Sequence, residues 1–380
     1  MKNITIIFLI LFPLSIFAQE CDCESIYTWT KNTFEQNDAG FNYILKKKGK
    51  QTYNIHNQFI LEKVKKADTP IECETVIRDW LSFFRKSHIE FHYTGERDSN
   101  NKQKPDSNTI KIDEKIKNTP EYKLHTRFLN SENPFIKQLN EKTLYIRIPS
   151  FSGHQKSKID SLILENRSKI LKTENLIIDI RNGTGGSDNS YKKLLPFIYT
   201  NPIRMPTVEF LSTPLNNQRM HDFATNTGMA LKFGLNPTQA EMKEFKAKYD
   251  TLSNHLGEFV NLNQYDVTIT KLDTVYQFPK NIGILINQNN VSTDEQFLLE
   301  AKQSKKVKLF GVTTKGGLDF SNLYLAFTPN KDFVLVYTLT KSLRIPYMVV
   351  DDIGIKPDYF IDKEIPEYKW INYVTTILNE

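Results

Sequence analysis

The sequence predicts an α/β domain preceded by a small helical bundle, and three observations carry that prediction. Two nearly continuous apolar runs, Leu176–Arg181 and Asn281–Asn287, read as strands of a sheet covered on both faces. Segments with helical spacing lie between such runs, the pattern of strand–helix–strand units. Upstream, residues 24 to about 85 place Tyr27, Phe34, Phe41, Phe59, Val64, Val76, Trp80 and Phe84 in helical stretches. Breaks fall at Asp38–Gly40, Lys48–Gly49 and Asp68–Pro70.

The elements follow in order. Met1–Lys2–Asn3 precedes an apolar run from Ile4 to Phe17 and the small residue Ala18. That is the layout of a secretory signal, so residues 1–18 are expected to be removed and the chain exported to the periplasm or beyond. No other stretch approaches the roughly 20 apolar residues of a membrane span, and no stable membrane insertion is expected after cleavage. Residues 19–95 form the helical region. Residues 96–140, most polar over 96–112, read as linker or exposed loop. Residues 141–380 form the main domain. Within it Leu144, Ile146 and Ile148 alternate with Tyr145 and Arg147 as a strand, and a helix follows over Ile159–Ile170. Residues 205–265 read as a helical insertion, with a Thr238-x-x-Glu241 capping box after Pro237. The pattern resumes with the helix after Ser292 and the strand Val307–Val312, and ends in an antiparallel pair, 323–328 and 333–339.

The formal net charge of +6 arises from scattered lysines, which argues against nucleic acid as a partner. Of the three cysteines, Cys21 or Cys23 is expected to bridge to Cys73, since an exported chain meets oxidising conditions. Nothing in the sequence reports on oligomeric state.

Three segments carry candidate chemistry. Ser292 stands where the strand Asn281–Asn287 hands over to a helix. Free backbone N–H groups at such a helix start favour a developing anion. Ser292 and Glu295 also spell a capping box, the plain reading of the same residues. The loop Asp179-Ile-Arg-Asn-Gly-Thr-Gly-Gly186 follows a strand but lacks the spacing of a phosphate loop. Its glycines leave backbone N–H groups at Gly185 or Gly186 unobstructed, as an oxyanion site needs. In Lys86-Ser-His-Ile-Glu-Phe-His92, His88, Glu90 and His92 would share one face of a strand. The plain outer face of a strand outweighs a metal trio there, and His88 is also a candidate general base. The other histidines, His125 among them, are expected at the surface. No metal and no cofactor are expected.

Taken together these segments resemble the tail-specific, or C-terminal processing, serine peptidase family, in its tricorn-core-like or retinoid-binding-protein-like branch. Asp179–Gly186 is similar to that family's Asp-Leu-Arg-x-Asn-x-Gly-Gly block, and Val291-Ser-Thr-Asp-Glu295 to its nucleophile block. Leu309–Gly317 is similar to the strand and glycine loop that follow, and Ile353-Gly-Ile-Lys-Pro-Asp358 to the closing block. Ser87–His88 is similar to the Ser-His or Gly-His ahead of the catalytic domain in tricorn-like members. The resemblance covers roughly residues 85–95 and 140–360. It implies a crotonase/ClpP-like α/β catalytic domain and hydrolysis of a peptide or polypeptide substrate. It implies Ser292 as nucleophile, His88 as base with Ser87 beside it, and an acid from Asp351 or Asp352, with Asp352 the assigned one. Glu295 matches the family glutamate. Gly185 or Gly186, together with Thr293, would hold the oxyanion. Processing peptidases instead use a lysine after the loop glycine; here Gly317 follows Gly316, and Lys315, two positions early, is the alternative base. The peptide-recognising PDZ domain of processing peptidases has no counterpart between 95 and 140. The rival reading is an inactive envelope protein that binds peptide or lipid on the same scaffold.

Overall fold

The structure, a computed structural model, describes residues 21–95, 113–232, 237–263 and 265–380. The expected signal segment and the polar stretch 96–112 lie outside the described residues. Four helices open the chain: α1 (Cys23–Asn37), α2 (Phe41–Lys48), α3 (Lys50–Val64) and α4 (Pro70–Ser82). Their ends follow local chemistry. Asp22 caps α1 by accepting the Ser25 N–H. Lys46, Lys47 and Lys48 fill the last turn of α2, at its negative dipole end. Thr69 and Glu72 form a capping box on α4, with Pro70 in its first turn. Cys23 bonds Cys73, tying α1 to α4, and Cys21 is the free thiol.

The strands are β1 (Glu90–Tyr93), β2 (Phe135–Gln138), β3 (Thr143–Arg147), β4 (Asn175–Asp179), β5 (Ile203–Pro206), β6 (Val208–Leu211), β7 (Phe259–Val260), β8 (Val267–Thr270), β9 (Asn281–Ile286), β10 (Val307–Gly311), β11 (Phe320–Phe327), β12 (Phe333–Ser342) and β13 (Tyr359–Phe360). The main sheet has the order β13-β10-β9-β4-β3-β2, parallel except for β2. Successive side chains point to opposite faces. Leu144, Ile146, Leu176, Ile178, Ile282 and Ile284 pack under the helix Lys156–Glu165 and the helix Thr293–Ala301, through Ile159, Ile163, Phe297 and Leu298. Tyr145, Ile177, Leu285 and Phe310 pack under Phe128 and the C-terminal helix, through Trp370, Ile371 and Val374. Burial on both faces is what makes these strands nearly continuous in apolar residues.

The fold is the expected mixed α/β class, with two differences in detail. The stretch 96–140 is not all linker: helices Glu114–Lys117 and Pro120–Leu129 and strand β2 occupy its second half. They are short, and β2 lies at a sheet edge with partly exposed residues, so its apolar period is weak. The insertion 205–265 is helical over Pro214–Thr225, Gly228–Lys232 and Gln239–Ser253, but it also carries β6 and β7, strands of two to four residues. His125, expected at the surface, is only 9% exposed.

The helical region shares its core with a second sheet. In it β12 pairs antiparallel with β1, β11 and β6. Phe34, Ile60, Trp80 and Phe84 pack with Phe91, Leu335, Tyr337 and Leu339. Buried Asp38 reinforces that contact: its carboxylate accepts the Thr338 N–H and binds the Arg85 guanidinium through both oxygens. Residues 85–88 are thereby held against β11 and β12, through Arg85 on Thr338 and His88 on the Phe320 carbonyl.

Candidate active site

The site forms where three loops leave the carboxyl ends of the main sheet, the usual position for ligands in such sheets. The first loop leaves β4. Asp179 is fully buried and accepts hydrogen bonds from Arg181 Nη2 at 2.6 Å and from Tyr145 Oη at 2.8 Å. Burial alone would raise its carboxyl, but Arg181 and Arg147 hold it down at about 2. Arg181 is pinned below the loop, its other end reaching Glu367. The backbone then turns sharply: Asn182 has φ 61°, Gly185 φ 83° and Gly186 φ 146°. Glycine is required at 185 for two reasons. The left-handed φ disfavours a side chain, and a Cβ there would stand 2.8 Å from Ser292 Cβ. A Cβ on Gly186 would stand 2.2 Å from the Phe151 carbonyl oxygen.

The second loop leaves β9 and carries Ser292. Its dihedrals, φ 62° and ψ −121°, lie outside the regions a non-glycine residue occupies freely. Strain of this kind costs about 1–3 kcal/mol and persists only where the surroundings impose it. They do so here. Asn290 is fully buried; its Nδ2 donates to the Ile180 carbonyl at 2.6 Å and its Oδ1 accepts the Asn287 N–H at 2.7 Å. The Ser292 N–H donates to the Gly317 carbonyl at 3.1 Å. Ser292 itself is half-buried. Among the described residues the N–H groups of Gly186 and Thr293 donate no hydrogen bond.

The third loop, Thr314–Gly317, follows β10 and is shaped by Glu295. The Glu295 carboxylate accepts the Thr314 hydroxyl at 2.5 Å, the Gly316 N–H at 2.8 Å, the Gly317 N–H at 2.9 Å and the Ser292 N–H at 3.2 Å. Burial raises its carboxyl, and those hydrogen bonds oppose the rise. Glu295 is thus more than a helix cap: it fixes the loop beside the serine. Lys315 is exposed, its own N–H held by the Asn290 carbonyl at 2.9 Å.

Ser87 and His88 reach this loop from the helical region. A Cβ on Gly317 would stand 2.5 Å from Ser87 Cβ and 2.8 Å from Val291 Cγ2. The buried Ser87 hydroxyl has no hydrogen-bond partner among the described residues. His88 takes φ 61°, stepping out of the strand that begins at Glu90. Its Nδ1 lies 2.6 Å from the Phe320 carbonyl, so that nitrogen carries the proton if the ring is neutral. Burial lowers the imidazole's proton affinity, and the charges of Arg85 and Lys315 lower it further against the pull of the Phe320 carbonyl. The remaining nitrogen, Nε2, has no hydrogen-bond partner among the described residues, and no hydrogen bond there joins Ser292 Oγ to His88 or to Lys315.

The structure therefore gathers Ser292, Ser87–His88, Gly185, Gly186, Thr293, Glu295 and Lys315 around one loop junction. The two aspartates differ. Asp351 is buried, and its Oδ1 accepts the N–H groups of Leu318 and Asp319, each at 2.6 Å. Asp352 is exposed, with φ 65° and its N–H on the Gly316 carbonyl at 3.2 Å. The acceptor on His88 Nδ1 is the Phe320 carbonyl and not either carboxylate. His92 turns to Glu90 at 2.9 Å, away from the His88 contact, and the described residues hold no group of three or more potential metal ligands. Residues that shape the site without standing out in sequence are Asn290, Asp319, Arg85 and Asp38. Asn290 and Asp319 lie inside or beside the motif blocks. Asp38 carries no local signal, because its partners are 47 and 300 positions away.

Comparison with known proteins gives the family and the fold. The family model for peptidase family S41 matches residues 142–361. Mature CPAF has a similar structure, with a TM-score of 0.60 at 12% identity over 94% of this chain and 96% of that one. A mutant of CPAF gives 0.61 at 13% identity over 94% and 96%. A protein of Parabacteroides merdae gives 0.55 at 13% identity over 95% and 98%. At these identities the likeness shows a shared fold. No curated protein matched the sequence. The family match spans more than half of the chain and includes each of the three loops: the chain belongs to peptidase family S41.

Proposed function

We propose that the chain is an exported serine peptidase with Ser292 as nucleophile and His88 as general base. One observation carries the reading: Ser292 sits in a strained turn that abuts Gly185 and, through Gly317, the Ser87–His88 pair. In this mechanism Ser292 Oγ bonds to the scissile carbonyl carbon while His88 Nε2 takes its proton. The carbonyl electron pair moves to oxygen, where the N–H groups of Gly186 and Thr293 receive it; Gly185 supplies the turn that brings them there. Each such donor is worth about 10²–10³ in rate. The C–N bond then breaks, and His88 returns the proton to the leaving amine. Water repeats the sequence on the acyl-enzyme.

The Phe320 carbonyl orients the imidazole, the role an acid plays in other triads. His88 is favoured over Lys315 as base because burial keeps its free nitrogen unprotonated near neutrality, whereas Lys315 is exposed. Hydrogen bonds to a base often close only once substrate is bound. The Cys23–Cys73 disulfide supports export to an oxidising compartment, and no helix among the described residues is long and apolar enough to cross a membrane. A fluorophosphonate probe followed by peptide mapping tests the nucleophile. A single adduct on Ser292 supports the reading; an adduct elsewhere, on a probe that labels the folded chain, removes it. The natural substrate is a peptide or polypeptide.

A further inference from the structure

Asp294, two residues after the nucleophile, is a fully buried acid that the mechanism above does not use. Its Oδ2 accepts Asn290 Nδ2 at 2.9 Å, and its Oδ1 has no hydrogen-bond partner among the described residues. The glycine loop lies on top of it. A Cβ on Gly183 would stand 2.4 Å from Asp294 Oδ2 and 2.9 Å from Oδ1, while Gly185 abuts Ser292. One short loop therefore rests on the acid at one glycine and on the nucleophile two residues later.

A half-satisfied carboxylate in such a place is costly, and the neutral acid is the cheaper form. The charged groups around it give no relief. Glu295, on its own helix, carries the same sign. Arg181, from the glycine loop, is committed to Asp179 and Glu367. Asp188, from the neighbouring turn, bonds Thr293 at 3.1 Å and adds no positive charge. The loop after β9 offers the neutral Asn290. Burial raises the Asp294 carboxyl to about 7, although Asn290 and the N–H dipoles of Val291 and Gly185 favour its charged form.

We infer that Asp294 is a positioning residue, a carboxylic acid kept neutral beneath the glycine loop, and that its ionisation opposes oxyanion stabilisation at Ser292. An anion at that point attracts the loop N–H dipoles inward and repels the negative charge that develops on the substrate carbonyl oxygen. The proton lost goes to solvent, and no bond of the substrate changes. The catalytic half of this inference rests on the peptidase reading of Ser292; the charge state of Asp294 does not.

The test compares the full chain with Asp294→Asn, which keeps the shape and cannot ionise. The first readout is thermal stability against pH. The sign is fixed by linkage. Between pH 3.8 and about 7 the unfolded carboxyl is ionised while the folded one holds its proton, so the wild type loses stability as pH rises through that window and levels off above it. Asp294→Asn lacks that decline, so its melting temperature rises relative to wild type from pH 4 to 7. The second readout is kcat/KM against pH. The wild type has an alkaline limb that falls up to about tenfold per pH unit above the Asp294 titration, and the variant lacks it. A constant melting-temperature offset across that range overturns the inference. A stability offset that grows with pH, with the alkaline limb unchanged in Asp294→Asn, overturns the catalytic half. If the stability signature appears and the wild type shows no Ser292-dependent turnover, the peptidase reading fails while the neutral buried acid stands, with a role in folding only.

Discussion

Asp319 and Asp351 each accept the backbone N–H groups that lead into the other. Asp351 Oδ1 takes those of Leu318 and Asp319, both at 2.6 Å; Asp319 Oδ2 takes those of Val350 and Asp351, at 2.6 and 2.8 Å. The clasp fastens the loop that carries Gly316 and Gly317 to the segment that ends in Gly354. Asp319 also pairs with buried Arg344 at 3.1 Å. Asp319→Ala leaves that arginine buried and unpaired, and is expected to cost about 3–5 kcal/mol in denaturant unfolding. Asp351 carries no cation partner of this kind; burial and then the Asp319 charge raise its carboxyl to about 6. Asp351→Asn, which keeps one acceptor oxygen, is therefore expected to cost less than Asp319→Ala. Equal losses would contradict this division of roles.

The pH dependence of turnover follows from His88. Burial first, then Arg85 and Lys315, hold its proton affinity below the ordinary value of 6.5. The free base is thus the dominant form at neutral pH, and the acid limb of kcat/KM is expected below pH 6.5. His88→Ala is expected to lower activity by about 10²–10⁴-fold and abolish that limb. Lys315→Ala removes a cation beside the ring and is expected to move the limb upward while retaining turnover. Loss of turnover in Lys315→Ala with near-normal rates in His88→Ala would assign the base to the lysine.

Gly185→Ala tests the contact between the glycine loop and the nucleophile. The added Cβ meets Ser292 Cβ at 2.8 Å on a backbone with φ 83°. Displacement of the loop is expected to cost about 10²–10³-fold in kcat, the range for one lost oxyanion donor, with KM changed far less. A rise in KM at constant kcat would place Gly185 in substrate binding instead.

The Cys23–Cys73 disulfide closes a separation of 50 residues around α1 to α4. Reducing it, or replacing Cys73 by Ala, is expected to cost about 2–5 kcal/mol in unfolding experiments. Because these helices share a core with β12, the loss should also reduce turnover near the melting temperature and leave it intact well below. Identical unfolding curves with and without reductant would contradict this.

Local features were legible in the sequence. The breaks at Asp38–Gly40, Lys48–Gly49 and Asp68–Pro70 coincide with the ends of α1 to α4, because capping and turn chemistry are decided within a few residues. The strands Asn175–Asp179 and Asn281–Ile286 stood out because both of their faces are covered. Long-range pairings were not legible. Asp38 and Arg85 look like ordinary surface charges until the fold brings them together at β12. Asp351 and Asp352 are adjacent and chemically alike, and only the tertiary turn shows that one faces inward and the other solvent. The positive φ angles of His88 and Ser292 likewise depend on loops far away in sequence.

Whether Ser292 is the nucleophile is decided by Ser292→Ala, assayed for hydrolysis of denatured polypeptide and short fluorogenic peptides beside the wild type. The rate is expected to fall by at least about 10³-fold in the variant, since a missing nucleophile leaves only oxyanion and binding contributions, with unfolding no less cooperative. Equal rates in the two proteins, or no hydrolysis by a folded wild type over a broad panel of peptides, would contradict it.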